Sequence, residues 1–177
     1  MPTPQRQALQ RFASRRFADW NGLAPGTRVD DVAAALDLDR GWHGTGALGS
    51  ERRPTDWLSA QAEGFPKGVR VWVEGESVRL LDAEGVALSD TTDALLDSLG
   101  APEAELESYL GTLPIAKSER VHPARGLTVY LNPENRLLLR VAAYAPCSLD
   151  EYLCGLRLDL RMVRLPPRRH KEGSARR

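Results

Sequence analysis

The chain alternates between two periodicities. Near the start, Leu9, Phe12, Ala13, Phe17 and Trp20 recur at helical spacing with arginines on the other faces, which predicts an amphipathic helix over about residues 4–20, stopped by Asn21-Gly22. Residues 30–38 (DDVAAALDL) predict a second, shorter helix with acidic residues at its favourable N-terminal end. The run DRGWHGTGALGSERRPTDW reads as a glycine-rich loop. The period then changes to two. Val69, Val71 and Val73 alternate with Arg70, Trp72 and Glu74, Glu74-Gly75-Glu76 turns the chain, and Ser77–Asp82 returns. Ala83-Glu84-Gly85 is another turn, and Val86–Leu88 could add a short strand.

A helix is expected from Thr92, whose hydroxyl can cap it, through Leu95, Leu96 and Leu99 to Gly100. PEAELESYLG predicts another, with Pro102 in its first turn and Gly111 at its end. A second hairpin follows, Gly126–Leu131 and Arg136–Ala143 around Asn132-Pro133-Glu134-Asn135. Ser148 and Glu151 form a capping box ahead of Leu149, Tyr152, Leu153, Leu156 and Leu160. Beyond Arg161 the period fades into a basic tail.

The two hairpins align with each other. GVRVWVEGESVRLLD (68–82) matches GLTVYLNPENRLLLR (126–140) without a gap, placing Gly68 on Gly126, Trp72 on Tyr130 and Leu81 on Leu139. The preceding helices fall near the same frame, Leu38 on Leu99. The expected class is therefore α+β: two tandem helix-loop-antiparallel hairpin units that form one sheet with helices packed on one face. The expected organisation is an N-terminal helix over 1–22, repeat units over 23–90 and 91–160 (the second including the C-terminal helix), and a flexible tail over 161–177. This layout over residues 23–145 resembles β-lactamase inhibitory protein and the small outer-membrane assembly lipoproteins. Those families act by binding another protein, which the resemblance implies here as well. They are exported, whereas the stretch MPTPQRQALQRFASRRFADW lacks the apolar core of a leader.

Composition changes the picture little. With 177 residues, 42% hydrophobic and 27% charged, the chain is long and apolar enough to bury a core. It has no apolar run long enough to span a membrane, so no membrane insertion is expected. With two cysteines and no leader, the expected location is cytoplasmic. Net charge is zero but segregated. Arg6, Arg11, Arg15 and Arg16 stand near the start, and residues 157–177 hold eight basic groups against Asp159 and Glu172. The stretch 74–107 carries ten carboxylates against Arg79 alone. Basic ends could lie over the acidic middle, be solvated, or grip nucleic acid.

Catalytic chemistry is hard to find. Gly44-Thr45-Gly46-Ala47-Leu48-Gly49 spells G-x-G-x-x-G, but a helix precedes it where the dinucleotide fold needs a strand, so it is not read as a nucleotide site. His43, His122 and His170 are isolated, and Cys147 and Cys154 lie outside zinc spacing and too far apart on one helix for a disulfide. No metal or cofactor is expected, and two free thiols are, at least one in the core. His122 and Arg125, entering the second hairpin, could bind an anion or anchor a dispersed enzyme site.

The remaining signal is aromatic. If the valines of the first hairpin face one way, Arg70, Trp72 and Glu74 face the other, and Tyr130 repeats that placement in the second. Trp and Tyr ringed by polar groups dominate binding hot spots. The leading expectation is a non-enzymatic protein-binding module, an adaptor or inhibitor, using Trp42, His43, Arg70, Trp72, His122, Arg125 and Tyr130. The alternatives are a nucleic-acid-associated protein acting through its basic ends, and the His122/Arg125 enzyme.

Overall fold

The computed structural model describes residues 3–37, 43–86, 88, 91–108 and 117–158. Helix α1 (Thr3–Ala13) buries Ala8, Leu9 and Phe12. It stops short of the expected Trp20, because Arg15 turns the chain with φ 57°. A 3-10 turn, Phe17–Asp19, then carries Phe17 and Trp20 into the same core. Phe12, Phe65 and Trp20 pack together there, with Phe12 stacked on Phe65 at 5.3 Å. Helix α2 (Val29–Leu36) buries Val32 and Leu36 and ends on a left-handed Asp37. Leu38 lies outside the described residues.

The glycine-rich run is not a loop. It forms strand β1 (His43–Leu48), paired antiparallel with β2 (Arg53–Ala62). Glycine serves a packing purpose here. A Cβ on Gly44 would lie 2.7 Å from a Trp57 ring carbon, and one on Gly46 would lie 2.7 Å from a Trp72 ring carbon. The side-chain-free stretch of strand is where two indoles lie down.

Strands β3 (Phe65–Glu74) and β4 (Ser77–Glu84) form the first expected hairpin. Val86 and Leu88 belong to no strand, and Ala87 is outside the described residues. Helix α3 (Thr92–Leu99) is capped by Thr91, one residue earlier than expected, whose hydroxyl accepts from Ala94 N. The expected helix over PEAELESYLG is instead strand β5 (Ala104–Ser108). Its alternation, Ala104 and Leu106 inward with Glu103, Glu105 and Glu107 exposed, has period two as well as a helical reading, and pairing with β6 (Lys117–His122) decides between them. Strands β7 (Leu127–Leu131) and β8 (Leu138–Tyr144) form the second hairpin, and α4 (Leu149–Gly155) carries the expected capping box at Ser148 and Glu151.

Among the described residues eight strands join one antiparallel sheet in the order β1-β2-β3-β4-β8-β7-β6-β5. The class is α+β, as the periodicity predicts. Each half supplies a helix and then four strands, and the halves meet where β4 pairs with β8. Both inner hairpins carry a register shift just after the aromatic, at Trp72/Val73 and at Tyr130/Leu131. The gapless match is corrected in one respect. Trp72 faces Leu80, whereas Tyr130 faces Arg140, so the second turn holds two extra residues. The offset between hairpins is thus 58 on the first arm (72 to 130) and 60 on the second (80 to 140). At an offset of 60 Asp82 corresponds to Ala142, and those two residues pair at the middle of the β4–β8 junction. A two-fold relation between the halves requires such a pairing.

The sheet has two unequal faces. One carries Val69, Val71, Leu81, Leu127, Val129 and Val141 against α1, α2 and α3. The other carries Trp72, Leu80, Tyr130, Ala142 and Tyr144 against Tyr152 and Leu156 of the α4 region. Three helices share one face, and α4 lies on the opposite one. No helix among the described residues is long and apolar enough to cross a membrane.

Candidate functional site: a cleft beside the outer strands

The aromatic residues expected on an exposed face are inside the protein. Trp72 and Tyr130 both have 0% exposure, so neither ring can meet a partner in this conformation. Two things cover them. Tyr152, from α4, stacks on Tyr144 at 5.1 Å and places its hydroxyl 3.3 Å from that of Tyr130. Trp72 donates through Nε1 to Asp82 at 2.9 Å and lies under Arg70. The polar groups that suggested a wet surface are partners for one another.

Those partners form two ionic clusters. Asp82, 1% exposed, accepts from Arg70, Trp72 and Arg140. Arg140 also reaches Glu84, which Lys67 pairs from the other side. Burial pushes the Glu84 carboxyl up, but Lys67 and Arg140 together hold it below its ordinary value. In the second cluster Glu119, fully buried, accepts from the Tyr152 hydroxyl at 2.6 Å and from Arg157 at 2.9 Å. Burial first, and then the Glu119 charge, raises the Tyr130 phenol well above its ordinary value; Tyr152 is raised the same way, with Tyr130 adding to the shift. Neither tyrosine is set up to lose a proton. The clusters hold the sheet together and offer no ligand a free charge.

His122 and Arg125 do not form an anion site. Arg125 donates to three backbone carbonyls, of Ser98, Ala18 and Trp20, tying α3 and the N-terminal turn to the entry of β7. His122 is buried with its Nε2 unbonded. Burial, then Arg125 and Arg120, pushes its pKa down, so it is a neutral imidazole held among cations. Cys147 is half-buried and Cys154 exposed, both free, so neither thiol lies in the core as expected. Burial with Glu151 and Glu103 pushes the Cys147 thiol up to about 11, far from a reactive thiolate. Among the described residues no group of His, Cys, Asp or Glu could hold a metal. Trp42 and the basic tail over 161–177 lie outside the described residues.

Among the described residues, His43 alone of the expected site residues stands exposed at a concave surface. A cleft of about 420 Å³ opens between the start of α2 and strands β1–β3. Val29, Leu58 and Val73 supply its apolar lining, with Arg28, Asp30, His43, Asp56, Glu76 and the half-buried Trp57 also lining it, the Trp57 ring lying on the opposite face of the sheet beside Trp72. Its shape follows from three registers. Arg28 bridges to Ser77, which anchors the α2 N-terminus over the β3–β4 turn. Asp56 stands opposite both Thr45 and Val73, and Leu58 opposite both His43 and Val71. Because α2 starts over that turn, the outer ends of β1 and β2 extend past it and leave Leu58 and Val73 only half-buried. Thr45 donates to Asp56 at 2.9 Å, and Arg28 pairs with Glu76 across the rim.

The sequence held a trace of this cleft. Alternation within Thr55–Leu58 could have indicated a strand, with Leu58 on the valine face and Asp56 beside it, but the glycines upstream read as a loop and hid the pairing partner.

No known family profile matches the chain, and no curated protein matches it. Among solved structures, a DUF4309 family protein (YjgB) from Bacillus subtilis is similar over 80% of this chain and 96% of its own, at 10% identity and a TM-score of 0.35. A likeness that slight carries no argument about function.

Proposed function

We propose that this protein is a non-enzymatic protein-binding module, an adaptor or inhibitor, and that its contact surface is the cleft between α2 and β1–β3. The observation that carries the reading is the cleft: about 420 Å³, apolar at Val29, Leu58 and Val73, and lined also by charges of both signs. An apolar floor inside a polar rim is the anatomy of a contact patch. The scaffold fits such a role if it arose by tandem duplication, as the matched hairpins and the central Asp82–Ala142 pairing support. A rigid sheet tied together by buried ion pairs would then present one end of itself to a partner.

The test is affinity capture from the native host with the wild-type chain and with Val73→Arg. Val73 is half-buried at the cleft, so a long cation there fills the floor while the β3–β4 pairing can persist. The expected result is a species captured by the wild type and lost with the variant, whose melting temperature stays close to wild type. Equal capture by both would contradict the reading.

A further inference from the structure

We infer that the C-terminal segment 148–158 is a clasp that curls the sheet toward the α4 face and so holds the cleft on the other face open; lifting the clasp closes the cleft. As a control on binding this rests on the reading of the cleft as a protein-binding surface, whereas the geometry stands without it.

The curl follows from one residue. The Arg157 carbonyl accepts from Gly49 N at 2.7 Å, at the tip of the β1–β2 hairpin. Its guanidinium donates to Glu107 O on β5 and to the Glu119 carboxylate on β6, both at 2.9 Å. Among the described residues β1 and β5 are the first and last strands of the sheet, and laid flat they would stand about 34 Å apart. An extended arginine spans about 8 Å from carbonyl oxygen to guanidinium nitrogen, which leaves the hairpin tip and β5 within about 14 Å of each other. The sheet is therefore strongly curved, concave on the side of Arg157. Leu48 of β1 and Val121 of β6 accordingly share one apolar cluster with Tyr152 and Leu156.

The clasp grips the hairpin tip backbone to backbone. Ser50 N donates to Leu153 O at 2.9 Å, and Leu48 bridges to Leu158. A Cβ on Gly49 would lie 1.9 Å from Cys154 O, and Gly49 has φ 67°, so glycine is what lets the two backbones come this close. Behind the tip, residues 46–48 pair with 53–55 and run past the β2–β3 ladder, which begins at Asp56 opposite Val73. The clasp draws this overhang toward α4. Helix α2 packs on the convex face, so the same pull carries the overhang away from α2. The helix layer then falls short of Leu58 and Val73, the half-buried residues of the cleft. The hairpin is a lever, gripped at its tip and forming the cleft wall where it leaves the ladder.

The test measures the distance across the cleft by electron–electron dipolar spectroscopy on the full-length chain. Spin labels are placed at Pro25→Cys and Pro54→Cys with Cys147→Ser and Cys154→Ser in the background. Both prolines are exposed, Pro25 ahead of α2 and Pro54 on the overhang. Gly49→Ala pushes the tip off the clasp without altering a cleft residue, and the expected result is a shorter distance than in the labelled parent. Arg157→Lys keeps a cation beside Glu119 but loses the forked reach to Glu107 O; it should shift the distance the same way, and it serves if Gly49→Ala does not fold. Thr91→Ala removes the α3 cap elsewhere in the molecule and should leave the distance unchanged. An unchanged or longer distance in the folded clasp variants would overturn the inference. Equal shortening in Thr91→Ala would overturn it too, as a sign of general loosening. No partner enters this measurement, so failure of the protein-binding reading would be seen separately, in the capture compared with Val73→Arg.

Discussion

Asp82 meets three donors from three different places: Arg70 and Trp72 on the neighbouring strand and Arg140 from the other half of the chain. Removing Asp82 leaves Arg140 charged and buried and takes the acceptor from the Trp72 indole N–H, which costs more than the pair itself contributed. Asp82→Ala should lower unfolding stability by about 3–5 kcal/mol, measured by urea denaturation. A loss within the error of the titration would mean that water reaches Arg140. His122 behaves in the opposite sense. Its pKa is held below its ordinary value by burial and by Arg125 and Arg120, so the unfolded chain takes up a proton more readily than the folded one. Stability is full above the unfolded pKa of about 6.5 and declines as pH falls from there toward the lower folded value. Melting curves between pH 7.5 and 5.5 should fall more steeply for wild type than for His122→Gln. Parallel slopes would mean that the imidazole is already solvated. Neither environment was legible in the sequence, where Asp82 reads as the end of a strand and His122 as the entry to the second hairpin. Burial of a polar side chain depends on what folds over it, and local patterning holds no record of that.

At the scale of elements, the sequence was clear wherever one periodicity had no competitor. The inner hairpins, α3 and the capping box of α4 all stand where alternation and capping chemistry place them. Errors came where a residue type had two meanings. In HGTGAL glycine signals a loop when taken alone, yet Gly44 and Gly46 sit in an edge strand because Trp57 and Trp72 occupy the space a Cβ would need. In AELES helix propensity and alternation compete, and pairing with β6 wins. Gly46→Ala tests the glycine account. The added methyl must displace the ring of a fully buried Trp72, and the cost should be about 1–3 kcal/mol, with tryptophan fluorescence shifted. A neutral or stabilising effect would mean that the indole has room to move and that glycine is there for some other reason.

For the whole molecule, two helix-plus-four-strand halves meet at β4–β8, and the charges that cross this seam, Arg140 to Asp82 and Glu84, are internal to it. The sequence offered the α+β class correctly but assigned the polar aromatic face to a partner when it belongs to the protein itself. The alternation of Arg70, Trp72 and Glu74 says which residues share a face. It cannot say that α4 and two ionic clusters close that face. What remains open lies at one end of the sheet, where β1 and β2 run past α2. His43, among the residues first singled out, lies there, and Asp56, Trp57 and Leu58 join it.

Hydrogen–deuterium exchange of the full-length chain, alone and saturated with the partner that the proposed capture experiment is to recover, tests this most directly. The account predicts new protection concentrated in residues 43–48 and 56–58, extending to 28–30 and 73–76, with the far edge at β5 unchanged. Protection at β5 or around His122 and Arg125, with the cleft exchanging as before, would contradict it.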